Sequence, residues 1–196
     1  MNISQSRCRY YRATSNGRTR RKKAILGQIA GQGLWASAIC LLLTSTHGFS
    51  QADATSINLL SKNNGGQVVV ASSDAWLKTI DDRESEGTEV RQDDSAIYGF
   101  RDGRRATFDT FAVLIPGKFD GNVKDFELLA GDSPTGEFTS IGKFTTTNAK
   151  FFPDPYQKSK FPPVTAKYLK VHLLSSWGSL WRIVIFQFRL FGQLKE

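Results

Sequence analysis

Three tryptophans sit where their neighbours are polar or small. Trp76 follows Ser72-Ser73-Asp74-Ala75, while Trp177 and Trp181 bracket Gly178-Ser179-Leu180. An indole held open to water can stack on the flat C–H face of a sugar, whose hydroxyls then need Asp, Asn, Arg or His nearby. The same ring can instead cap a hydrophobic core, where it buries roughly 150–250 Å². Both readings stand for Trp76, with Asp74 as its polar neighbour, and for Trp177 beside the flexible Gly178. Trp181 adjoins an apolar run and reads as core. Lys118, Asp120 and Asn122 form a further polar segment. It is either a set of sugar contacts or the turn that Asp120-Gly121 favours by itself.

A different chemistry is offered by the acidic segment Asp81-Asp82-Arg83-Glu84-Ser85-Glu86-Gly87-Thr88-Glu89. Hard oxygen donors gathered in a turn suit calcium, which takes roughly six to eight oxygens. The alternative is a solvated acidic loop. Covalent and redox chemistry have little to draw on. Cys8, Cys40 and His47 all precede residue 53, and His172 is the one histidine after it. That composition excludes a disulfide framework, a Cys-rich zinc site and a multi-His metal centre from the main body. A Ser-His-Asp arrangement would have to use His172. His172 alternates with Leu169, Val171 and Leu173, as an exposed strand residue does. No catalytic constellation emerges, so the chain reads as non-enzymatic. Asp93-Asp94 and Arg104-Arg105 read as solvent-exposed turns.

The chain of 196 residues has a formal charge of +8. Residues 1–52 carry eight of the 26 basic residues and none of the 18 acidic ones, so the remainder balances at 18 of each. The basic excess therefore belongs to the N-terminal segment, and the body lacks the footprint of a nucleic-acid-binding domain. Residues 1–23 are polar and basic, 34–43 form an uncharged apolar run, and 44–54 are small and polar. That order is the pattern of a secretory signal peptide. Cleavage is expected after Ala52 or Ala54, each preceded by a small-x-small triplet. A permanent membrane anchor needs about 20 apolar residues. Reaching that length means including Gly27, Gln28, Gly31, Gln32 and Gly33, so no permanent span is expected. Thr19-Arg20-Arg21 resembles the start of a twin-arginine signal, although Lys23 and Ala24 replace its apolar pair. The destination expected is periplasmic or secreted.

The elements that must position these residues read as β. After Thr55 short apolar runs recur between Gly, Pro, Asp, Asn and Ser, with no sustained helical period. Strands are predicted near Gln67–Ala71, 96–100, 106–115, 124–130, 138–144, 166–174 and 182–191. Arg101-Asp102-Gly103 suits a tight hairpin, and Asp120-Gly121-Asn122 and Ser133-Pro134-Thr135-Gly136 suit turns. Phe126, Leu128 and Ala130 alternate with Asp125 and Glu127, so that strand has one wet face. Residues 183–186 are apolar throughout and predict a central strand buried on both sides. Residues 151–164 hold four prolines and predict a long surface loop. The expectation is an all-β two-sheet sandwich or jelly roll in which most of the 14 phenylalanines fill the space between the sheets.

The order of motifs resembles the discoidin, or coagulation-factor type C, family, which includes carbohydrate-binding module family 32. The matching segments are Asn58-Leu59-Leu60 with Val69-Val70-Ala71-Ser72-Ser73; Ile80-Asp81-Asp82 followed by Thr88; and Asn122-Val123-Lys124-Asp125-Phe126-Glu127-Leu128. They continue with Ser133-Pro134-Thr135-Gly136-Glu137-Phe138-Thr139, Ala166-Lys167-Tyr168-Leu169-Lys170-Val171 and Phe188-Arg189-Leu190-Phe191-Gly192. Asp82 stands where the family has Gly, and Val90 where it has Trp. The resemblance implies a galactose-binding-like jelly roll over residues 55–196, a binding module with no catalytic residues to carry over. It implies a ligand face at the loops of one end, a site drawn from Trp76, Asp74, Trp177, Lys118 and Asn122. It also implies a structural calcium site of Asp81, Thr88 and a Glu position that here holds Gln187. The expected partner is a glycan or glycoconjugate. The alternative is a protein or lipid surface bound by the same fold. Such modules usually accompany a catalytic domain, yet this sequence ends four residues past Gly192, so it is expected to act alone, bind another chain or be a fragment.

Overall fold

The structure is a computed structural model and describes residues 55–196. The leader, its cleavage points and its cysteines lie outside the described residues. Among the described residues no helix is long and apolar enough to cross a membrane.

The strands are β1 (Ile57–Asn58), β2 (Gln67–Ala71), β3 (Thr88–Arg91), β4 (Ser95–Gly99), β5 (Ala106–Leu114), β6 (Val123–Gly131), β7 (Thr139–Thr145), β8 (Tyr156–Ala166), β9 (Tyr168–Ser176), β10 (Arg182–Ile185) and β11 (Phe188–Leu194). A five-stranded sheet has the order β2-β4-β9-β6-β7, and a four-stranded sheet the order β1-β11-β5-β8. A separate antiparallel ribbon pairs β3 with β10. The two larger sheets face one another across the core.

Alternation builds that core. Phe126 and Leu128 of β6 and Leu169, Val171 and Leu173 of β9 are buried, while Glu127 and His172 lie on the outer face. From the other sheet Phe108, Phe111, Phe188 and Leu190 point inward. Aromatic rings run through the sandwich from Trp76 to Phe188, Phe111, Phe126, Phe144, Phe161, Phe108 and Phe100. Centroid separations of 5.3–6.4 Å are in the range where aromatic pairs attract beyond simple burial. Phe119, Phe151 and Phe152 are exposed at loops. Gly192 closes the fold by close approach. A Cβ there would meet Thr107 O at 2.3 Å, and the β5–β11 register shifts beside it.

Four expectations need correction. Residues 151–164 are not one loop, because β8 runs from Tyr156 to Ala166. Proline is tolerated there since β8 is an edge strand, and the β5–β8 register shifts beside Phe161-Pro162-Pro163. The predicted strand at 182–191 breaks in two at Phe186-Gln187, where the chain passes from the ribbon into the sheet. β10 is therefore not a central strand: Ile183 and Ile185 are buried, but Val184 and Phe186 are only half-buried. Residues 101–103 make a tight turn with positive φ at Asp102 and Gly103, but it joins β4 to β5 in different sheets, so it is not a hairpin. The turn at Ser133–Gly136 does join a hairpin, β6 to β7.

Candidate functional site

The β3–β10 ribbon has an inner and an outer face. Val90 and Ile183 oppose each other and are buried, as is Ile185. Arg91 opposes Arg182, and Glu89 opposes Val184, on the outer side. The Arg182 guanidinium donates from Nη1 to Glu89 Oε1 at 3.1 Å.

At the Arg182 end of the ribbon an open cleft of about 580 Å³ is lined by Phe119, Asp120, Gly121, Gly178, Ser179, Trp181 and Arg182. Trp181 is 76% exposed and Phe119 47%. The backbone around both rings is pinned. Gly178 N–H donates to Asp120 O at 2.8 Å, Val184 N–H to Gly121 O at 2.7 Å and Gln92 N–H to Trp181 O at 3.3 Å. Phe119 N–H donates to Asn148 Oδ1 at 2.9 Å. Gly178 is required for contact with the neighbouring loop, since a Cβ there would lie 2.9 Å from the Asp120 Cβ. Two exposed rings on a fixed backbone, with a carboxylate and a guanidinium beside them, can stack on an apolar face and hydrogen-bond its polar substituents. A second cleft of about 480 Å³, lined by Ser72, Ser73, Glu89, Val90, Arg91, Asp94 and Arg182, shares the Arg182 side chain.

The structure redistributes the residues that the sequence singled out. Trp76 is fully buried in the 3-10 helix Asp74–Ile80, packs on Phe188 and donates from Nε1 to Ser72 Oγ at 3.1 Å. It offers no face to a ligand: Ser72 and Ser73 lead into the helix, with Ser72 as the indole's partner, and Asp74 lies on its exposed side. Asp74 is exposed but lines a shallow groove with Leu77 and Val69, apart from the aromatic cleft. Trp177 is 37% exposed and is a loop anchor. Its Nε1 donates to Thr146 Oγ1 at 3.2 Å, its N–H donates to Asn122 O, and Lys124 Nζ lies 5.5 Å from the ring centroid. Asn122 is buried, so it is not a surface contact: Nδ2 donates to Gly117 O at 2.7 Å and to Asn148 Oδ1 at 2.9 Å. Lys118 is exposed beside the cleft but does not line it. Hydroxyls of Ser175 and Thr145 donate to Asp125 and hold its carboxyl below the ordinary range.

Sequence reasoning missed Trp181, Phe119 and Arg182. The period of two from Ile183 and Ile185 assigns Trp181 to the buried face, but the chain bends at Leu180-Trp181 and the alternation stops there. Phe119 was legible as a large apolar residue alone in Pro116-Gly117-Lys118-Phe119-Asp120-Gly121.

The calcium set does not assemble. Gln187 presents its amide nitrogen, not an oxygen, to Asp81 Oδ1 at 2.8 Å. Thr88 lies in β3 opposite Ile185. A hydrogen-bond donor aimed into the oxygens does not fit a bound cation. Asp82 does adopt the left-handed backbone, φ 63°, that a glycine would reach freely. Its carboxylate accepts from Ser61 Oγ at 2.7 Å and Asn63 Nδ2 at 3.0 Å, which offsets the strain.

This sandwich, with its loop cleft at one end of a ribbon, defines a class. It has the discoidin-like fold of family 32 carbohydrate-binding modules. The third such module of a family 31 glycoside hydrolase from Clostridium perfringens matches with a TM-score of 0.58 at 11% identity, over 71% of this chain and 96% of that one. The C-terminal domain of a chitobiase from Bacteroides fragilis matches at 0.56 and 16% identity, over 72% and 99%. The family 32 module of C. perfringens NanJ, solved in complex with galactose, matches at 0.53 and 13% identity, over 70% and 98%. By sequence, no family model and no curated protein matches the chain.

Proposed function

We propose that residues 55–196 are a glycan-binding module without catalytic role, and that the glycan lies in the cleft of Trp181, Phe119, Asp120 and Arg182. The observation that carries this reading is Trp181, a largely exposed ring on a backbone pinned from both sides. An exposed indole has few uses in a stable fold, and stacking on a sugar face is one that the adjacent Asp120 and Arg182 complement. The solved module with galactose and another with GalNAc-β-1,3-galactose support the ligand class. The leader pattern supports a periplasmic or secreted location, and the protein would attach its bearer to a glycan surface.

A glycan array followed by calorimetry on the best glycan tests the reading. Trp181→Ala is expected to weaken binding by roughly thirtyfold, as losing a hot-spot aromatic worth about 2 kcal/mol does. Leu180 and Phe152, 79% and 81% exposed, favour a second reading in which the loops meet an apolar surface. Binding to lipid vesicles with no glycan retained on the array would establish that reading in place of the first.

A further inference from the structure

One buried side chain meets the segment 78–83 at four points. Gln187 is 2% exposed. Its Nε2 faces Lys78 O at 2.5 Å, Asp81 Oδ1 at 2.8 Å and Arg83 O at 3.3 Å. Its Oε1 accepts from Asp82 N–H at 3.2 Å. Nε2 has two hydrogens but meets three oxygens. Two carbonyls and a carboxylate converging on one point are the donors that a hard divalent cation selects. Here that point is an amide nitrogen, whose hydrogens exclude a cation. The amide cannot be reversed. Rotation would turn Oε1 toward three oxygens and the NH₂ toward the Asp82 N–H, leaving buried groups unpaired.

We propose that the Gln187 carboxamide takes the place of a divalent cation in this loop. The native loop is held without metal, and the surrounding oxygens become a calcium site once residue 187 carries a carboxylate. A carboxylate there would add two oxygens to Lys78 O, Asp81 Oδ1 and Arg83 O, with water completing a shell of roughly six to eight. It would also place a second negative charge beside Asp81. Without metal that pair repels, so folding of this variant should depend on calcium. The loop's shape is already set by other contacts, which is why one substitution should suffice. Asp82 is tied to Ser61 and Asn63, and Asp81 Oδ1 also accepts from Arg83 N–H at 3.0 Å.

The test uses the full chain, native and Gln187→Glu, stripped with chelator and melted with and without millimolar calcium. The native melting temperature should stay constant within about 1 °C. That of Gln187→Glu should fall in chelator and rise by about 5 °C or more with calcium, through mass action on the folded state. If Gln187→Glu is unfolded in chelator, calcium should refold it, read by far-UV circular dichroism. Gln187→Leu supplies no charge and should be destabilised equally with and without calcium. Calcium stabilisation of the native protein would overturn the proposal, as would a Gln187→Glu protein whose stability or folding ignores calcium. Glycan affinity at Trp181 is read separately, so either assignment can fail alone.

Discussion

The two ends of the β3–β10 ribbon are built on opposite principles. At the Thr88–Ile185 end the adjoining loop is closed by Gln187, whose buried amide reaches three oxygens and a backbone N–H. At the Arg91–Arg182 end the backbone is pinned as firmly, but Trp181 and Phe119 remain in water. One end uses its polar groups on itself, and the other leaves two rings in water beside the Asp120 carboxylate and an Arg182 guanidinium that Glu89 engages through Nη1. Rigidity is thus common to both ends, and what distinguishes the candidate site is unsatisfied surface on a rigid frame. Burial of an aromatic within a few residues of a polar loop says little by itself. Trp76 follows a polar run and Trp181 adjoins an apolar one, yet Trp76 is the core's edge and Trp181 is the cleft's wall.

The largest effect that would break this comparison is at Trp76. Trp76→Ala should cost about 3–5 kcal/mol of stability, as buried aromatic-to-Ala changes do, measured by denaturant unfolding. Trp181→Ala should change stability by less than about 0.5 kcal/mol, because an exposed ring makes few folded-state contacts. Equal losses for the two would dissolve the distinction. Next comes the closed end. Gln187→Leu leaves Lys78 O and Asp82 N–H without this partner and removes one of the two donors to Asp81 Oδ1, so unfolding free energy should drop by about 1–3 kcal/mol. Glycan affinity should stay the same, because the open end does not use that lock.

How much of this was legible in the sequence follows from range. The sandwich was, because alternation in β6 and β9 is a local pattern: Phe126 and Leu128 against Glu127, Val171 against His172. The ribbon was not, because β3 is short and mostly polar, and its partner β10 is nearly continuous in sequence with β11. The open site depends on a bend at Leu180-Trp181 and on Phe119 arriving from another loop, neither of which has a periodic signature. The edge position that lets Pro162-Pro163 lie in β8 is likewise a property of sheet order.

Smaller effects sharpen the comparison. Trp177→Phe keeps bulk but loses the Nε1–H donated to Thr146 Oγ1, so stability should fall by about 1 kcal/mol and glycan affinity only a few-fold, through a looser loop. The smallest concerns pH. The Ser175 and Thr145 hydroxyls lower the Asp125 pKa in the folded state. Its contribution is therefore complete above the unfolded carboxylate value of about 4, and is lost as pH falls through the lower folded value. Because Asp125 is partly exposed, that contribution should be under about 1 kcal/mol. Melting temperatures at pH 6 and pH 3 should differ less for Asp125→Asn than for the native protein.

Which indole meets the ligand decides where the site lies. Two-dimensional ¹H–¹⁵N spectra during titration with the array's best glycan resolve each indole N–H, assigned by single substitution. The Trp181 signal should shift progressively to saturation and the Trp76 signal should stay fixed, with Trp177 moving slightly. A saturating titration that leaves Trp181 unmoved would contradict the assignment of the site.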